Sequence, residues 1–382
     1  MFRHNGTTHA VFMDSMDYGA FRDLCRHHEC AKSGRKIFVM VAQRSSLEIP
    51  AIQSVCTEEG ASLVGAVFPS LLVDGRFVDK GIIVTCLKAE TTARLYFDVD
   101  KGDNVPAVRD DIVSWVEQDL ADREGALFTI FDVAVPNIST HLDSWYRKLG
   151  DWVVYCGVNA GSETFHPSPC LFDNHRIVSS GLLAVLVPDH AGAIIRHGYR
   201  APESVQTATT AANNKIVQID WLPALPVYKD IVRTDFGIDI TTQNFYQYSI
   251  HHPFGLLRAD GEVLVRIPVE IAPDDGIVCA GEVPNNSILA LLDSKTSTDV
   301  AQELATALMT ANPGLSDPTL VAFYCGGRLH QKGQQAAERE LRDLMALTGA
   351  EHLYGAVSLG EIGTARSGGY PLFHNAAVVA LP

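Results

Sequence analysis

The chain of 382 residues is 47% hydrophobic and 20% charged, a composition that is typical of globular proteins and excludes the disordered and fibrous classes. Its length predicts two domains or one large repeated unit, and its net charge of -15 disfavours nucleic acid and acidic lipid surfaces as partners. No stretch is long and apolar enough for a membrane helix, and residues 1–13 carry no signal-like apolar segment, so we expect a cytoplasmic protein.

One order of elements recurs three times along the chain. The first copy begins with the apolar run Lys36–Ala42, continues through a helix and a strand, and ends on the strand Gly81–Leu87. The second copy spans residues 126–187, and the third spans residues 319–381. Each copy is predicted to run strand, helix, strand, loop, strand.

The strands of these copies are apolar throughout, which is typical of strands that are covered on both faces. Their alternation with helices favours βαβ units with right-handed crossovers. The predicted fold class is therefore α/β, with repeated strand-helix-strand-loop-strand units that form mixed sheets covered by helices. Ligands of such sheets bind beyond the carboxyl ends of the strands. The predicted binding loops are Gly65–Leu71, Gly157–Phe165 and Gly355–Gly363.

Further elements are predicted between the copies. The stretch Val105–Arg123 is expected to form an amphipathic helix that packs across a sheet, and Pro223–Phe236 a helix with proline near its start. Residues 194–219 and 262–292 have the pattern of short strands separated by turns. The polar segment Ile238–Ser249 is predicted to be a linker or loop.

Eight cysteines are scattered along the chain without a CxxC pair, as expected for a reducing compartment. Those in apolar runs, such as Cys86 and Cys156, are predicted to be buried free thiols. The segment Cys25–Cys30 also contains two histidines, but its two cysteines do not share a helical face. A solvated or partly buried helix is therefore favoured over a metal site in this segment.

Two adjacent histidines, His251 and His252, precede a predicted strand. In an extended chain they point in opposite directions, so at most one of them faces a pocket. A histidine that closes a loop by hydrogen bonding is the favoured interpretation, while ligand contact and axial coordination of a haem iron stay open.

The turn Tyr324–Arg328 follows an apolar strand, contains two glycines and opens onto a helix. Its backbone N–H groups and the Arg328 guanidinium suit an anion or carboxylate. The same helix start would favour a thiolate, so Cys325 is a candidate nucleophile. No histidine and acid partners can be assigned to Cys325 from the sequence, which makes catalysis the less favoured interpretation.

Glu361 lies in a glycine-rich loop. Its carboxylate is expected to pair with Arg328 or Arg266 or to bind a ligand amine, and the sequence leaves these alternatives open. His374 and Asn375 precede the last strand and could reach the same loops. Nucleotide binding has little support, because the glycine-rich loops lack the GxGxxG and P-loop patterns.

In their order along the chain, these motifs resemble the FIST domain proteins, which have an N-terminal and a C-terminal FIST part. The C-terminal part is the better match, and its motifs are Pro223–Leu225, His252–Gly255, Arg266, Cys325–Arg328, Gly360–Gly363 and His374–Asn375. The N-terminal part is represented by Gly157–Gly161, residues 172–187 and His197–Tyr199. The apolar loop Gly65–Ser70 departs from the glycine-rich turn that the family has at this place.

The resemblance covers Lys36–Leu381 and implies an N-terminal extension at residues 1–35, a FIST N-terminal-like domain at residues 36–220 and a FIST C-terminal-like domain at residues 221–382. It also implies an intracellular sensory module that binds a small ligand and passes the signal to a kinase or another transducer. Some stand-alone bacterial members look like haem-binding nitric oxide sensors that act on a histidine kinase. This chain has no recognisable kinase, cyclase or receiver segment, so it resembles the stand-alone type.

Three hypotheses for the function follow. The leading one is a cytoplasmic, non-enzymatic sensor that binds a small polar ligand, such as an amino acid, and holds no metal. Its predicted ligand-binding residues are Arg266, Cys325, Arg328, Glu361, His252, His374 and Asn375. The second is a gas sensor with non-covalent haem, for which the candidate iron ligands are His252 first, then His166, His197, His251 and His374. The third is an enzyme with Cys325 as nucleophile and Glu361 or a histidine as base.

Overall fold

The structure is a computed structural model that describes residues 3–4, 7–8, 10–14, 17–27, 36–102, 104–121, 123–164, 168–200, 202–311, 319–365, 368–375 and 378–381. Within these ranges it has several mixed sheets covered by helices, which confirms the predicted α/β class. The helices are α1 (Tyr18–His27), α2 (Ile49–Glu58), α3 (Asn104–Leu120), α4 (Ile138–Leu149), α5 (Ala224–Phe236), α6 (Phe245–Ser249), α7 (Val300–Ala311), α8 (Gly326–Lys332) and α9 (Gln334–Thr348). None of these described helices has the length and apolar character needed to cross a membrane.

The strands follow in chain order. Up to the middle of the chain they are β1 (Arg3–His4), β2 (Thr7–Thr8), β3 (Ala10–Met13), β4 (Lys36–Ala42), β5 (Ser62–Phe68), β6 (Leu71–Val73), β7 (Arg76–Val78), β8 (Ile82–Cys86), β9 (Thr92–Tyr96), β10 (Gly125–Asp132), β11 (Val153–Ala160), β12 (Leu171–Asp173), β13 (Ile177–Val178), β14 (Leu182–Pro188) and β15 (Ile194–Arg196). The others are β16 (Gln206–Ala208), β17 (Thr210–Ala212), β18 (Lys215–Ile219), β19 (Leu222–Pro223), β20 (Phe254–Leu257), β21 (Val263–Arg266), β22 (Pro268–Ile271), β23 (Ile277–Cys279), β24 (Ser287–Leu291), β25 (Thr319–Cys325), β26 (His352–Ser358), β27 (Glu361–Thr364), β28 (Pro371–His374) and β29 (Val378–Leu381).

The three copies of the repeated unit share one topology. In each copy two parallel strands are joined by helical connections, and these pairs are β4 with β5, β10 with β11, and β25 with β26. A later strand of the same copy then pairs antiparallel with the first one, as β8 does with β4, β14 with β10, and β29 with β25. The continuous apolar runs therefore mark the central strands of the sheets, as expected for strands covered on both faces.

The predicted loop of each copy contains a β-hairpin that joins the sheet of a different copy. The hairpin β6–β7 of the first copy pairs with β26 of the third. The hairpin β12–β13 of the second copy pairs with β5 of the first, and β27–β28 of the third copy pairs with β11 of the second. These exchanges connect the three sheets in a closed ring, so segments far apart in sequence line the same strand ends.

Aromatic side chains fill the space where the three sheets meet. The ring centroids of Phe68 and Phe128 both lie 5.8 Å from that of Phe323, and the three residues belong to one buried cluster. The strands approach so closely that a Cβ atom at Gly355 would lie 1.6 Å from the carbonyl oxygen of Ala322. Only glycine fits at this position of the paired strands.

Residues 206–291 form a β-rich region with a core of its own. Helix α5 packs on it and begins directly after Pro223, as the sequence predicts. The segment Ile238–Ser249, predicted to be a linker or loop, ends in the short helix α6, because Phe245 and Ser249 are buried against this region.

The cysteines follow the predictions only in part. Cys86 is disulfide-bonded, so the prediction of a free thiol at this position is wrong. Six other cysteines are free and buried, namely Cys25, Cys56, Cys156, Cys170, Cys279 and Cys325. Of the segment Cys25–Cys30, the structure places Cys25 in α1, in the same buried cluster as Cys56, and Cys30 lies outside the described residues. Within the described ranges no three His, Cys, Asp or Glu side chains cluster as metal ligands do.

Candidate functional site

Arg328, which the sequence predicts to meet an anion, is fully buried and pairs with Glu340 of α9. Its Nε and Nη2 atoms donate to the two carboxylate oxygens at 2.9 and 2.7 Å, and Nη1 donates to the carbonyl oxygen of His197 at 3.0 Å. The Tyr324 hydroxyl and the Lys332 ammonium group contact the same carboxylate at 2.7 and 3.0 Å. Arg328 therefore joins α8 to α9, and its carboxylate partner is a residue that the sequence did not single out.

Arg266 is also buried, at the end of β21. Its Nε donates to the carbonyl oxygen of Glu282 at 2.8 Å, and its Nη1 donates to the carbonyl oxygens of Phe373 and Val265 at 2.8 and 3.0 Å. Burial lowers the pKa of Arg266 to about 10. Because these three hydrogen bonds all go to main-chain oxygens, Arg266 holds the segment after β23 next to β28.

Glu361 and His374 lie opposite each other in the hairpin β27–β28. Both are buried, and the Ser358 hydroxyl donates to the Glu361 carboxylate at 2.6 Å. The His374 ring lies 5.6 Å from the ring of His197. The next residue, Asn375, is buried at the end of the same hairpin, so the structure brings these three predicted site residues together.

Cys325 lies beside Ser358 in the paired strands β25 and β26, and the Ser358 hydroxyl donates to Glu361, whereas His252 lies before β20. Cys325 is buried where β25 meets α8. The ring of His252 is buried and stacks on Phe236, with 3.8 Å between ring centroids, and burial lowers the pKa of His252. These contacts place His252 in the protein interior, where its Nδ1 atom has no hydrogen-bond partner.

None of the candidate haem ligands that the structure describes lines one of the five cavities found among the described residues. Haem needs a large apolar cavity beside its axial ligand, whereas none of five cavities of about 250 to 570 Å³ is lined by His252. The same is true of His197, His251 and His374, and His166 lies outside the described residues.

A cavity of about 270 Å³, here called the strand-end cavity, lies beyond the carboxyl ends of β10 and β11. Its walls are formed by the turn Val133–Asn137 with Ile138, by Asn159, by the segment Cys279–Glu282 and by Phe373 with Asn375, together with Asn214, Val269 and Leu359. Ligand pockets span roughly 300–1,000 Å³, and this cavity lies just below that range, so it suits only a small ligand. Of the predicted site residues, Asn375 lines it.

Two amide side chains of the strand-end cavity have unsatisfied oxygens. Asn159 and Asn375 are 2% and 1% exposed, and the Oδ1 atom of neither has a hydrogen-bond partner. A buried polar group without a partner costs about 1–3 kcal/mol. Both residues line the cavity, and a flip of each amide group exchanges the positions of its oxygen and nitrogen. A ligand with hydrogen-bonding groups would remove this cost.

Charge in the strand-end cavity comes from Glu282, since its described lining includes no lysine, arginine or histidine. The Oε2 atom of Glu282 accepts hydrogen bonds from the backbone N–H groups of Ser139 and Thr140 at 2.6 and 3.3 Å. Its Oε1 atom accepts from the Thr140 hydroxyl at 2.6 Å. Burial raises the pKa of the nearby Cys279 thiol to about 12, so this cysteine stays protonated at neutral pH.

Asp132 shapes the wall between β10 and α4. Its two carboxylate oxygens accept hydrogen bonds from the backbone N–H groups of Ala134 and Ser180, at 2.9 and 2.7 Å. The chain then turns through Asn137, which has a positive φ of 61°, a conformation that asparagine tolerates better than most residues. Helix α4 starts at the next residue, so its first N–H groups face Glu282.

Two family models match the chain one after the other. The FIST N domain matches residues 37–222, and the FIST C domain matches residues 224–364. The chain belongs to the FIST family. No curated protein matches it. FIST domains are sensory domains associated with signal transduction, and a role in binding small ligands has been suggested for them.

In this FIST protein the strand-end cavity lies between the two matched regions. The turn Val133–Asn137 and Asn159 belong to the FIST N match, and Cys279–Glu282 belongs to the FIST C match. Asn375 lies beyond the end of the FIST C match. A ligand in the cavity would therefore contact both FIST regions at once.

The sequence analysis did not single out Asn159 or Glu282. Asn159 lies in the predicted binding loop Gly157–Phe165, and an amide between small residues at the end of an apolar strand is the signal that marks it. Glu282 has no comparable local signal, because its hydrogen-bonding partner Thr140 lies 142 residues away in the sequence.

Proposed function

We propose that this FIST protein is a cytoplasmic, non-enzymatic sensor that binds a small polar ligand, such as an amino acid, in the strand-end cavity. The bound state is passed to a separate transducer, such as a histidine kinase. The observation that carries the proposal is the pair of unsatisfied amide oxygens of Asn159 and Asn375 in a small, largely apolar cavity. Binding sites of this kind combine an apolar wall with a few polar groups that orient the ligand.

The chemistry of the lining supports binding rather than catalysis. The Cys279 thiol is protonated at neutral pH, and the Glu282 carboxylate is engaged by the start of α4. An activated nucleophile needs a base within hydrogen-bonding distance, and the described lining offers no such pair. Asn159 and Asn375 recognise hydrogen-bonding groups but do not transfer protons.

The position of the cavity supports a role in signalling. Its occupant would contact the turn Val133–Asn137 from one FIST region and the segment Cys279–Glu282 from the other. A ligand shifts a conformational equilibrium only through differential contacts with the two states. A site shared by both regions supplies such contacts, because any movement between them changes the cavity.

A thermal-shift screen of amino acids and small amines, followed by calorimetric titration, tests the proposal. A ligand at 100 times its Kd is expected to stabilise the wild-type protein by about 2.7 kcal/mol. Asn159→Leu should weaken its binding at least tenfold, because the ligand loses a hydrogen-bonding partner. Thr91→Val is the matched control, since the Thr91 hydroxyl is also buried and unsatisfied but lines none of the five cavities.

The control separates the two effects of removing an unsatisfied polar atom. Both substitutions remove a buried polar atom that has no hydrogen-bond partner. Neither is therefore expected to lower the stability of the fold by removing that atom. Only Asn159→Leu should lose ligand binding. A ligand that binds Asn159→Leu and Asn375→Leu as tightly as the wild type would contradict the proposed site.

A further inference from the structure

A second cavity of about 250 Å³, here called the hairpin cavity, lies against the hairpin β20–β21. Leu256 and Leu264 lie opposite each other in this hairpin, and both line the cavity. Arg258 and Arg266 also line it, and each follows one of these leucines by two residues along the chain. Because alternate residues of a strand point to the same face, this wall is an apolar floor with an arginine at each end.

Arg266 lies in this wall as a buried cation without a carboxylate partner among the described residues. It is 1% exposed, and its Nε and Nη1 atoms donate to the main-chain oxygens described above. In the part of the chain that the structure describes, its third nitrogen, Nη2, has no hydrogen-bond acceptor. A buried charge without an opposite charge is costly. An anion in the hairpin cavity would supply the missing partner of Arg266.

Two carboxylates line the hairpin cavity, and both receive hydrogen bonds from other groups. Glu282 accepts from the first N–H groups of α4 and from the Thr140 hydroxyl, and Asp143 accepts from the Tyr370 hydroxyl. The charge of Glu282 offsets only part of the effect of burial, which lowers the pKa of Arg266. Neither carboxylate therefore takes the place of a counter-ion at Arg266.

Arg258 brings a second positive charge to the other end of the floor. Its Nε atom lies 3.5 Å from a carboxylate oxygen of Asp260, at the limit of a hydrogen bond. Its guanidinium group lies over the ring of Tyr370, 4.6 Å from the ring centroid. The Arg258 side chain is 32% exposed, so this end of the floor is the outer one and Arg266 marks the inner one.

The lining also defines the kind of anion. Arg266 offers one free nitrogen, whereas a phosphate group needs several donors to replace its hydration. A carboxylate carries less charge, and an apolar body attached to it would cover Leu256 and Leu264. Residues 371–373 add further apolar surface to the lining. The small volume of the cavity excludes a bulky ligand.

We propose that the hairpin cavity binds a small organic carboxylate, whose carboxylate group pairs with Nη2 of Arg266 and whose apolar body lies on Leu256 and Leu264. Arg258 attracts the anion at the outer end of the floor. This site goes beyond the proposed function, because it is a second site in a different cavity. The two cavities share Glu282 and Phe373, so their ligands would lie on either side of a common wall.

Titration of the full chain with sodium butyrate, followed by ligand-observed NMR, tests the site. We expect saturable binding, with neutral butyramide and the n-butylammonium cation at least about tenfold weaker at the same ionic strength, since neither pairs with a guanidinium group. The Kd should fall about fourfold for each methylene group from acetate through propionate to butyrate, because each one is buried on the floor. Absence of saturable butyrate binding, or equal binding of butyramide, would overturn the proposal.

Leu264→Glu tests whether butyrate binds on this wall. The new carboxylate stands two residues from Arg266 on the same face and pairs with it, so butyrate should bind at least about tenfold more weakly. Leu347→Glu is the matched control, because Leu347 is a partly exposed leucine that lines none of the five cavities. Unchanged butyrate affinity in folded Leu264→Glu would refute the site.

Two further variants complete the test. If Leu264→Glu does not fold, Arg258→Gln replaces it, since Arg258 is partly exposed, and butyrate should then bind severalfold more weakly. Equal affinity of Arg258→Gln and the wild type would in that case count against the site. Asn159→Leu should bind butyrate as the wild type does, because Asn159 lines only the strand-end cavity. A loss in Asn159→Leu without a loss in Leu264→Glu or Arg258→Gln would place butyrate in the strand-end cavity and overturn this inference while leaving the proposed function in place.

Discussion

Replacing Glu340 with glutamine would leave the buried Arg328 guanidinium without its carboxylate. Burial by itself would raise the pKa of Glu340. The hydrogen bonds and the charge of Arg328 outweigh this effect and lower the pKa of Glu340 to about 2. A glutamate in an unfolded chain has a pKa of about 4.3, and the difference between the two pKa values corresponds to about 3 kcal/mol of folding stability. Removing one partner of a buried ion pair costs about 3–5 kcal/mol in other proteins. We therefore expect Glu340→Gln to lower the free energy of unfolding by about 3 kcal/mol at neutral pH.

The pH dependence of that loss has a definite sign. The pKa of Glu340 is lower in the folded state than in the unfolded one, so its contribution is complete above about pH 5 and falls as the pH drops towards 2. The wild type should therefore lose stability over this range, and Glu340→Gln should lose less. The two curves are expected to converge at low pH, where Glu340 is protonated in both states.

Urea denaturation, followed by circular dichroism at several pH values, measures both effects. The matched control is Asp230→Asn, because Asp230 pairs with Arg233 on the surface, where both side chains are more than 60% exposed. Such exposed pairs contribute about 0–1 kcal/mol. A loss below about 1 kcal/mol for Glu340→Gln, or parallel pH curves for the two proteins, would refute the reasoning.

Two further predictions concern the packing of the sheets and the strand-end cavity. Gly355→Ala should lower the free energy of unfolding by more than about 3 kcal/mol in urea denaturation, because the new Cβ meets a carbonyl oxygen, whereas Gly102→Ala has open space and should lose far less. Similar losses in both variants would argue against the close strand contact. Iodoacetamide should modify Cys279 at least about a hundredfold more slowly at pH 8 in the folded protein than in urea, as measured by peptide mass spectrometry. Equal rates would contradict a buried, protonated thiol.

The sequence was sufficient for the repeated α/β units. Runs such as Lys36–Ala42 and Thr319–Cys325 coincide with β4 and β25, because a strand buried on both faces must be apolar along its whole length. Helix α3 buries the apolar face predicted for Val105–Arg123, since its spacing follows the helical period. Proline near the start also located α5. Each of these signals depends only on residues that are close together in the sequence, so the sequence displays it directly.

The candidate site depended on contacts between distant segments. The sequence predicted that Arg328 binds an anion and that Glu361 pairs with an arginine or a ligand, but the partners seen for them, Glu340 and Ser358, follow from the packing of α9 and from the turn before β27. Asn375 was identified from its place before the last strand. Asn159 became a candidate only when its oxygen was found unsatisfied in a cavity.

The sequence by itself determined the class of fold, the order of the repeated units and the resemblance to the FIST family. Each of these depends on the pattern of neighbouring residues, which the chain displays directly. Only the tertiary structure decided which hairpin joins which sheet and which side chain fills the N-terminus of α4. The physical reason is that strand pairing between copies and the Glu282 carboxylate contact join segments far apart in the chain, and no local pattern encodes their meeting.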